Sequence, residues 1–184
     1  DTAFDFRSDS KGNDPDSHSP TLREYHQFLW SKPLPYKGEL NLDEKLVNHS
    51  PAGEFRLASD SIIHCFEYWK SYRHIIQQIP KNDIDYFVKQ SYTIGAMLVF
   101  PAARIDRKPT INGARGMHPW IKDRIDLTLE CIRLFYDGKT SPLYACLDRY
   151  RNFFELFGDF RGYVEFFLLQ DLVNQGFTPS GSTA

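Results

Sequence analysis

Between Arg104 and Arg124 the chain gathers six basic residues, Arg104, Arg107, Lys108, Arg115, Lys122 and Arg124, against two acidic ones, Asp106 and Asp123. Inside that stretch runs Thr110-Ile-Asn-Gly-Ala-Arg-Gly, followed by His118 and by Pro119, the expected first residue of a long helix. Glycines let a backbone approach a ligand closely, and a helix N-terminus offers unpaired amide hydrogens to an anion. Arginines add charge-assisted hydrogen bonds to phosphate or carboxylate. On this reading Arg104, Asn112, Gly113, Arg115, Gly116, His118 and Arg124 form an anion pocket. The plainer reading is a glycine-containing turn whose arginines pair with nearby carboxylates. The stretch matches neither the P-loop pattern nor the dinucleotide fingerprint.

Further along the expected helix, Asp123, Asp126, Glu130 and Arg133 recur at spacings of 3, 4 and 3, on one face. Such a row can bind a divalent cation or supply a general acid or base, with Asp126 and Glu130 the nearest candidates, but is more often a solvated face with Glu130 paired to Arg133. The N-terminal Asp9-Ser-Lys-Gly-Asn-Asp-Pro-Asp16 is rich in oxygen ligands, yet its glycine comes too early for a calcium loop. Six histidines show no His-Glu-x-x-His spacing, and His26 and His64 read as core or boundary groups. No metal site, cofactor motif or nucleophile elbow is expected. The aromatic run Tyr150, Phe153, Phe154, Phe157, Phe160, Tyr163, Phe166 and Phe167 recurs at helical spacing. It reads as packed core, or in a sharper version as a ligand cavity or docking surface.

These residues need elements to hold them. Residues 1–19 read as a polar arm or loop, with Phe4 and Phe6 placed for a short edge strand. Ser19-Pro20 starts a helix that stops before Pro33. Glu39–Leu42 and Glu54–Ala58 alternate as half-buried strands. A helix capped by Asp60 carries Ile62, Phe66, Trp69, Ile76 and Ile79 on one face up to Pro80, and a shorter one is capped by Asn82. Tyr92–Phe100 reads as a central strand, and Arg104–Gly116 as an irregular loop or hairpin. Helices follow from Pro119 to Gly138, from Ser141-Pro142 to Gly158, and over Tyr163–Val173. The expected architecture is α+β and helix-rich: a small β-sheet packed against about five or six α-helices. Residues 1–175 make a single globular domain and 176–184 a flexible tail.

Composition bounds the function. The 184 residues carry a net charge of −2, which offers no electrostatic footprint for bulk nucleic-acid binding. No apolar run reaches the roughly 18 residues of a membrane span. Cys65, Cys131 and Cys146 are too scattered for a disulfide framework or a zinc site. Free thiols and the absence of a signal-peptide pattern lead to the expectation of a cytoplasmic protein.

Several segments together carry a likeness. Phe4-Asp-Phe-Arg-Ser-Asp, Asp14-Pro-Asp, Ser19-Pro-Thr-Leu-Arg-Glu-Tyr-His and Leu29-Trp-Ser-Lys-Pro-Leu-Pro form one block. Thr110-Ile-Asn-Gly-Ala-Arg-Gly, Asp123-Arg-Ile-Asp-Leu-Thr-Leu-Glu-Cys-Ile-Arg and Gly162-Tyr-Val-Glu-Phe-Phe-Leu-Leu-Gln-Asp-Leu-Val form another. The chain resembles an uncharacterised family of bacterial proteins with a domain of unknown function. That likeness implies a bacterial, cytoplasmic protein and brings no activity or catalytic residue with it. It also implies a shortened or diverged end at Pro179-Ser-Gly-Ser-Thr-Ala. The expected function is binding of a phosphorylated small molecule, a nucleotide or an RNA end at the basic loop. The alternative is a non-catalytic protein-interaction module of a toxin–antitoxin or phage-response system, docking through the aromatic helices.

Overall fold

A computed structural model describes residues 1–34, 41–42, 47–50, 53–60, 73–121, 124–174 and 179. The first part of the expected helix from Asp60 to Pro80, through Ile62, Phe66 and Trp69 with His64 and Cys65, lies outside them, as does most of the C-terminal tail; its described end is helical only over Arg73–Ile76, and Ile79 is exposed in the turn that follows. The described chain is α+β and helix-rich, as its patterning predicts.

The N-terminal residues are built into the fold. Helix α1 (Arg7–Ser10) and α2 (Pro15–His18) lead into α3 (Pro20–Trp30). Phe6 is buried with Leu22, Ile94 and Met97 in a small second core. The Phe6 amide donates to the Tyr92 carbonyl, Ile94 to Phe4 and Gly95 to Thr2. Phe4 and Phe6 thus flank a single bridge, Asp5 to Thr93, rather than forming a full edge strand. The Ser19 hydroxyl accepts from Leu22 N and Pro20 follows it, so α3 begins where its cap chemistry puts it.

The sheet is antiparallel, in the order β1 (Asn41–Leu42), β2 (Val47–Ser50), β3 (Gly53–Asp60) and β4 (Leu98–Pro101). Strand β3 changes partner halfway. Gly53 to Arg56 pair with β2, and Leu57 to Asp60 pair with β4. Only Leu98–Pro101 of the expected strand Tyr92–Phe100 is extended, and it ends the strand order rather than standing in its centre. The reason is local. The backbone of residues 92–95 is engaged by the N-terminal segment, and Ile94–Ala96 form a 3₁₀ turn. Gly95 permits the approach, since a Cβ there would lie 3.1 Å from the Thr2 carbonyl oxygen.

Between the first helices and the last come α4 (Arg73–Ile76) and α5 (Lys81–Gln90), which starts after Pro80, one residue before the expected cap Asn82. After β4, Thr110 caps α6 (Ile111–Met117), so the glycine-containing segment is a helix and not a loop. The Thr110 hydroxyl accepts from Gly113 N at 3.2 Å, and Ile111 and Arg115, four apart, turn the same face inward. Pro119 opens no helix. A turn follows α6, and α7 (Ile125–Tyr136) begins six residues later. It ends at Gly138 as predicted: Gly138 has a φ of 69°, and the Lys139 amide reaches back to Leu134. Ser141-Pro142 sits in a turn before α8 (Tyr144–Arg149), and Tyr150 separates α8 from α9 (Arg151–Phe154). Helix α10 (Phe160–Phe166) is shorter than the expected Tyr163–Val173, because Leu168 takes a left-handed conformation.

The main core lies where α7 to α10 meet α3 and β4. Trp30 packs its ring against Phe153, Phe166 and Phe167, and Phe157 contacts Tyr163, Phe166 and Phe167. Two phenols of this core find acceptors, Tyr136 donating to the Phe154 carbonyl and Tyr150 to that of Ala103, whereas the wholly buried Tyr163 hydroxyl has no hydrogen-bond partner among the described residues. Every member of the aromatic run from Tyr150 to Phe167 is buried. The core reading holds for that run, and it offers no docking surface.

Candidate functional site

The sequence-predicted anion residues are dispersed. Arg115 is fully buried, donating from Nε to the Thr128 hydroxyl at 3.1 Å between α6 and α7. Gly113 and Gly116 are helical residues, and Asn112 stands beside them in the first turn of α6. His118 caps α6 on its C-terminal side, and its Nδ1 accepts from the Trp120 amide. Arg124 lies at the start of α7 and binds Asp126 through Nε and a terminal nitrogen. Arg104 is exposed in the loop after β4. The corrected picture therefore has no glycine loop facing a helix N-terminus, because the glycines are inside α6 and its arginine belongs to the core.

The carboxylate row also resolves into ion pairs. Glu130 and Arg133 meet at 2.8 Å, and Arg133 reaches Asp137 as well. Burial opposes ionisation of Asp126, but Arg124 and the backbone amides at the start of α7 outweigh it and hold the carboxyl below the usual range. Asp123 lies outside the described residues. Burial pushes the Cys131 and Cys146 thiols up, which suits inert core cysteines. No group of three metal-ligating side chains occurs among the described residues.

A different place is concave and polar. A cleft of about 670 Å³ opens where β3 passes from β2 to β4. Its floor and walls are Val47, Arg56, Leu57, Ala58, Ala102 and Ala103 from the sheet side, with Asp14, Asp16, Ser17 and Arg23 from α2 and α3. None of the predicted anion residues lines it.

The carboxylate in this cleft is held from several directions. Asp16 accepts the Ser59 amide on both oxygens, at 3.2 and 3.0 Å, which fastens α2 to β3. His26, fully buried on the inner face of α3, places Nε2 2.7 Å from the Ser59 hydroxyl and 3.5 Å from Asp16 Oδ1. Its Nδ1 has no hydrogen-bond partner among the described residues. Asp14 caps α2 through the Ser17 amide and hydroxyl. The amides at the start of α3 are taken too, by the Ser19 hydroxyl and by Asp9, which accepts from Thr21 N at 3.1 Å. Arg23, which donates from a terminal nitrogen to the Ser17 carbonyl at 3.5 Å, and Arg56 line the same cleft as Asp16.

Sequence reasoning passed over this site for identifiable reasons. His26 does fall on the apolar stripe with Leu22 and Leu29, and a histidine there was a legible signal of a buried polar contact. Its partners come from α2 and β3, 10 residues before and 33 after it, and no local spacing connects them.

Against known proteins, a family model covers residues 1–178, nearly the whole chain. The chain belongs to the family of unknown function DUF6994. The match begins before α1 and runs past α10, so the cleft and the aromatic core both fall within this family's domain. No curated protein and no solved structure matches the chain. No helix among the described residues is long and apolar enough to cross a membrane.

Proposed function

We propose that this protein binds a phosphorylated small molecule or nucleotide in the cleft between α2, α3 and β3. The ligand class is the one the basic stretch from Arg104 to Arg124 led us to expect, and its place is moved. The observation that carries the reading is the pairing of Arg23 and Arg56 on one cavity, with a fixed carboxylate beside them. Arginine presents a planar fork of donors that matches phosphate oxygens, and two such groups on a concave surface are a common phosphate grip. The volume falls within the roughly 300–1,000 Å³ of small-molecule sites. Arg56 is exposed and its backbone, not its side chain, holds the sheet, so the side chain is available to a ligand.

The test is a thermal-shift screen of inorganic phosphate, sugar phosphates and nucleotides on wild type and Arg56→Ala. A ligand present at about 100 times its Kd adds about 2.7 kcal/mol of stability, or roughly 5–10 °C in Tm for a chain of this size. The shift is expected in wild type and lost in the variant. No shift with any phosphate compound, or one that Arg56→Ala keeps in full, would remove the basis for the reading.

A further inference from the structure

Helix α5 differs from the other long helices in what it buries. None of its ten residues is enclosed, whereas α3 and α7 each bury a stripe that includes two or more leucines or isoleucines. Ile84 and Val88, half-buried, mark the side turned to the rest of the chain. Tyr86, midway between them in sequence, points the opposite way and is 66% exposed. The outer face around that ring has a symmetric order of charge. Asn82 and Asp83 lie four and three residues before Tyr86, and Lys89 and Gln90 lie three and four after it, so all four flank it on one helical face. An amide and an acid at one end are thus mirrored by a base and an amide at the other.

These two charges are not used within the chain. Lys81 and Asp85 pair with each other at 2.6 Å on the flank of the helix. Asp83 and Lys89 form no ion pair among the described residues. Lys89 acts only at longer range, on an Asp5 already bonded to Arg7.

We propose that the outer face of α5 joins two copies of this chain in a twofold-symmetric dimer, the helices antiparallel and the two Tyr86 rings at the axis. A face repeated about a twofold axis must complement itself. With the axis level with Tyr86, Asp83 of one copy stands level with Lys89 of the second copy, and Asn82 with Gln90. Each match occurs twice, once at either end. The antiparallel helix dipoles agree with this arrangement. A parallel pairing would set Asp83 on Asp83 and Lys89 on Lys89, which like charges oppose. A foreign partner would have to present the same order of charge, whereas a second copy does so by symmetry. Tyrosine suits the centre, because its ring is large and rigid and its hydroxyl tolerates water. The face is one helix wide with a polar rim, so the dimer belongs to the weak, transient class below about 1,200 Å². No α5 residue lines the cleft of the phosphate reading, and the two inferences stand or fall separately.

Sedimentation velocity of the full chain over a concentration series tests this. It compares wild type with Asp83→Lys, Lys89→Asp and the double exchange Asp83→Lys/Lys89→Asp. Wild type should pass from monomer to dimer as concentration rises. Each single reversal sets like charges against each other at both ends, and should weaken the dimer at least about tenfold. The double exchange sets opposite charges together again and should restore it. Both positions are exposed, so all three variants should keep the circular dichroism of wild type. Raising salt from about 0.15 M to about 1 M shortens the Debye length from about 8 Å to about 3 Å, and should weaken wild type and the double exchange alike. A wild type that stays monomeric at every concentration overturns the inference. So does a dimer that the single reversals leave intact, because it then uses another face. Loss in the single variants without recovery in the double exchange overturns the antiparallel pairing, and the proposal with it.

Discussion

Arg115 shows how a residue type can promise one chemistry and deliver another. In the sequence it sits between two glycines in a basic stretch, where an anion ligand is the natural expectation. In the fold its guanidinium is wholly enclosed against Thr128, between α6 and α7. The same burial bears on Tyr163, which the Arg115 charge reaches electrostatically. Arg115→Ala is therefore expected to lower stability, by about 3 kcal/mol, through an unfilled cavity and the loss of the hydrogen bond to the Thr128 hydroxyl, which keeps its own bond to the Arg124 carbonyl. Urea unfolding checks this. An unchanged midpoint would show that the side chain is not part of the core. His26 is the plainer case. It reads as a core or boundary histidine, and it is a core one, wholly buried with its Nε2 3.5 Å from the carboxylate of Asp16.

At the level of elements, some local caps and stops worked and others did not. Ser19-Pro20 and Gly138 act within one turn of themselves and hold, whereas the equally local Ser141-Pro142 and Pro119 open no helix. Helix α10 carries a constraint that propensity alone would misjudge. Gly162 lies in its first turn and donates to the capping Asp159 at 2.8 Å. Replacing glycine by alanine in a helix ordinarily gains about 1 kcal/mol. Here an added Cβ would run into the Phe157 carbonyl oxygen, well inside contact distance and against backbone that cannot swing aside. Gly162→Ala is expected to lose about 1–3 kcal/mol net, as overpacking does. A rise in Tm for this variant would show that the 3₁₀ turn Glu155–Phe157 and α10 are less closely packed than described.

For the molecule as a whole, the aromatic core sets a response to pH. Burial raises the phenol of Tyr136 well above its usual range, and burial raises Tyr163 too, against a smaller opposing effect of the Arg115 charge. Below about pH 10 these phenols are neutral in folded and unfolded chains alike, and the stability they contribute is fully present. Above it the unfolded chain releases protons that the folded one retains, so stability falls as pH rises toward the folded pKa values. Each retained proton costs about 1.4 kcal/mol per pH unit in this window. Phenolate absorbance followed beside circular dichroism tests the sign: these two phenols should ionise only as helical signal is lost. Complete ionisation of all ten tyrosines with native dichroism would contradict the packing.

The sequence by itself determined what depends on neighbours along the chain. The helix-rich α+β class, the start of α3, the end of α7, the β3 strand and the burial of the aromatic run all follow from periodicity, cap chemistry and glycine conformations. Segments whose backbone is taken by distant partners were not legible. Tyr92–Phe100 has the composition of a strand, yet Thr2 and Phe4 draw its first half into a turn. Thr110–Gly116 has the composition of a loop, yet Ile111 and Arg115 find a core on one face and make it helical. The candidate site belongs wholly to this second kind. Asp16, Arg23, His26, Arg56 and Ser59 come from α2, α3 and β3, and a cleft exists there because β3 changes partners at Arg56. Side-chain type is written in the sequence, but convergence is a property of chain reversal and packing, which only the tertiary structure supplies.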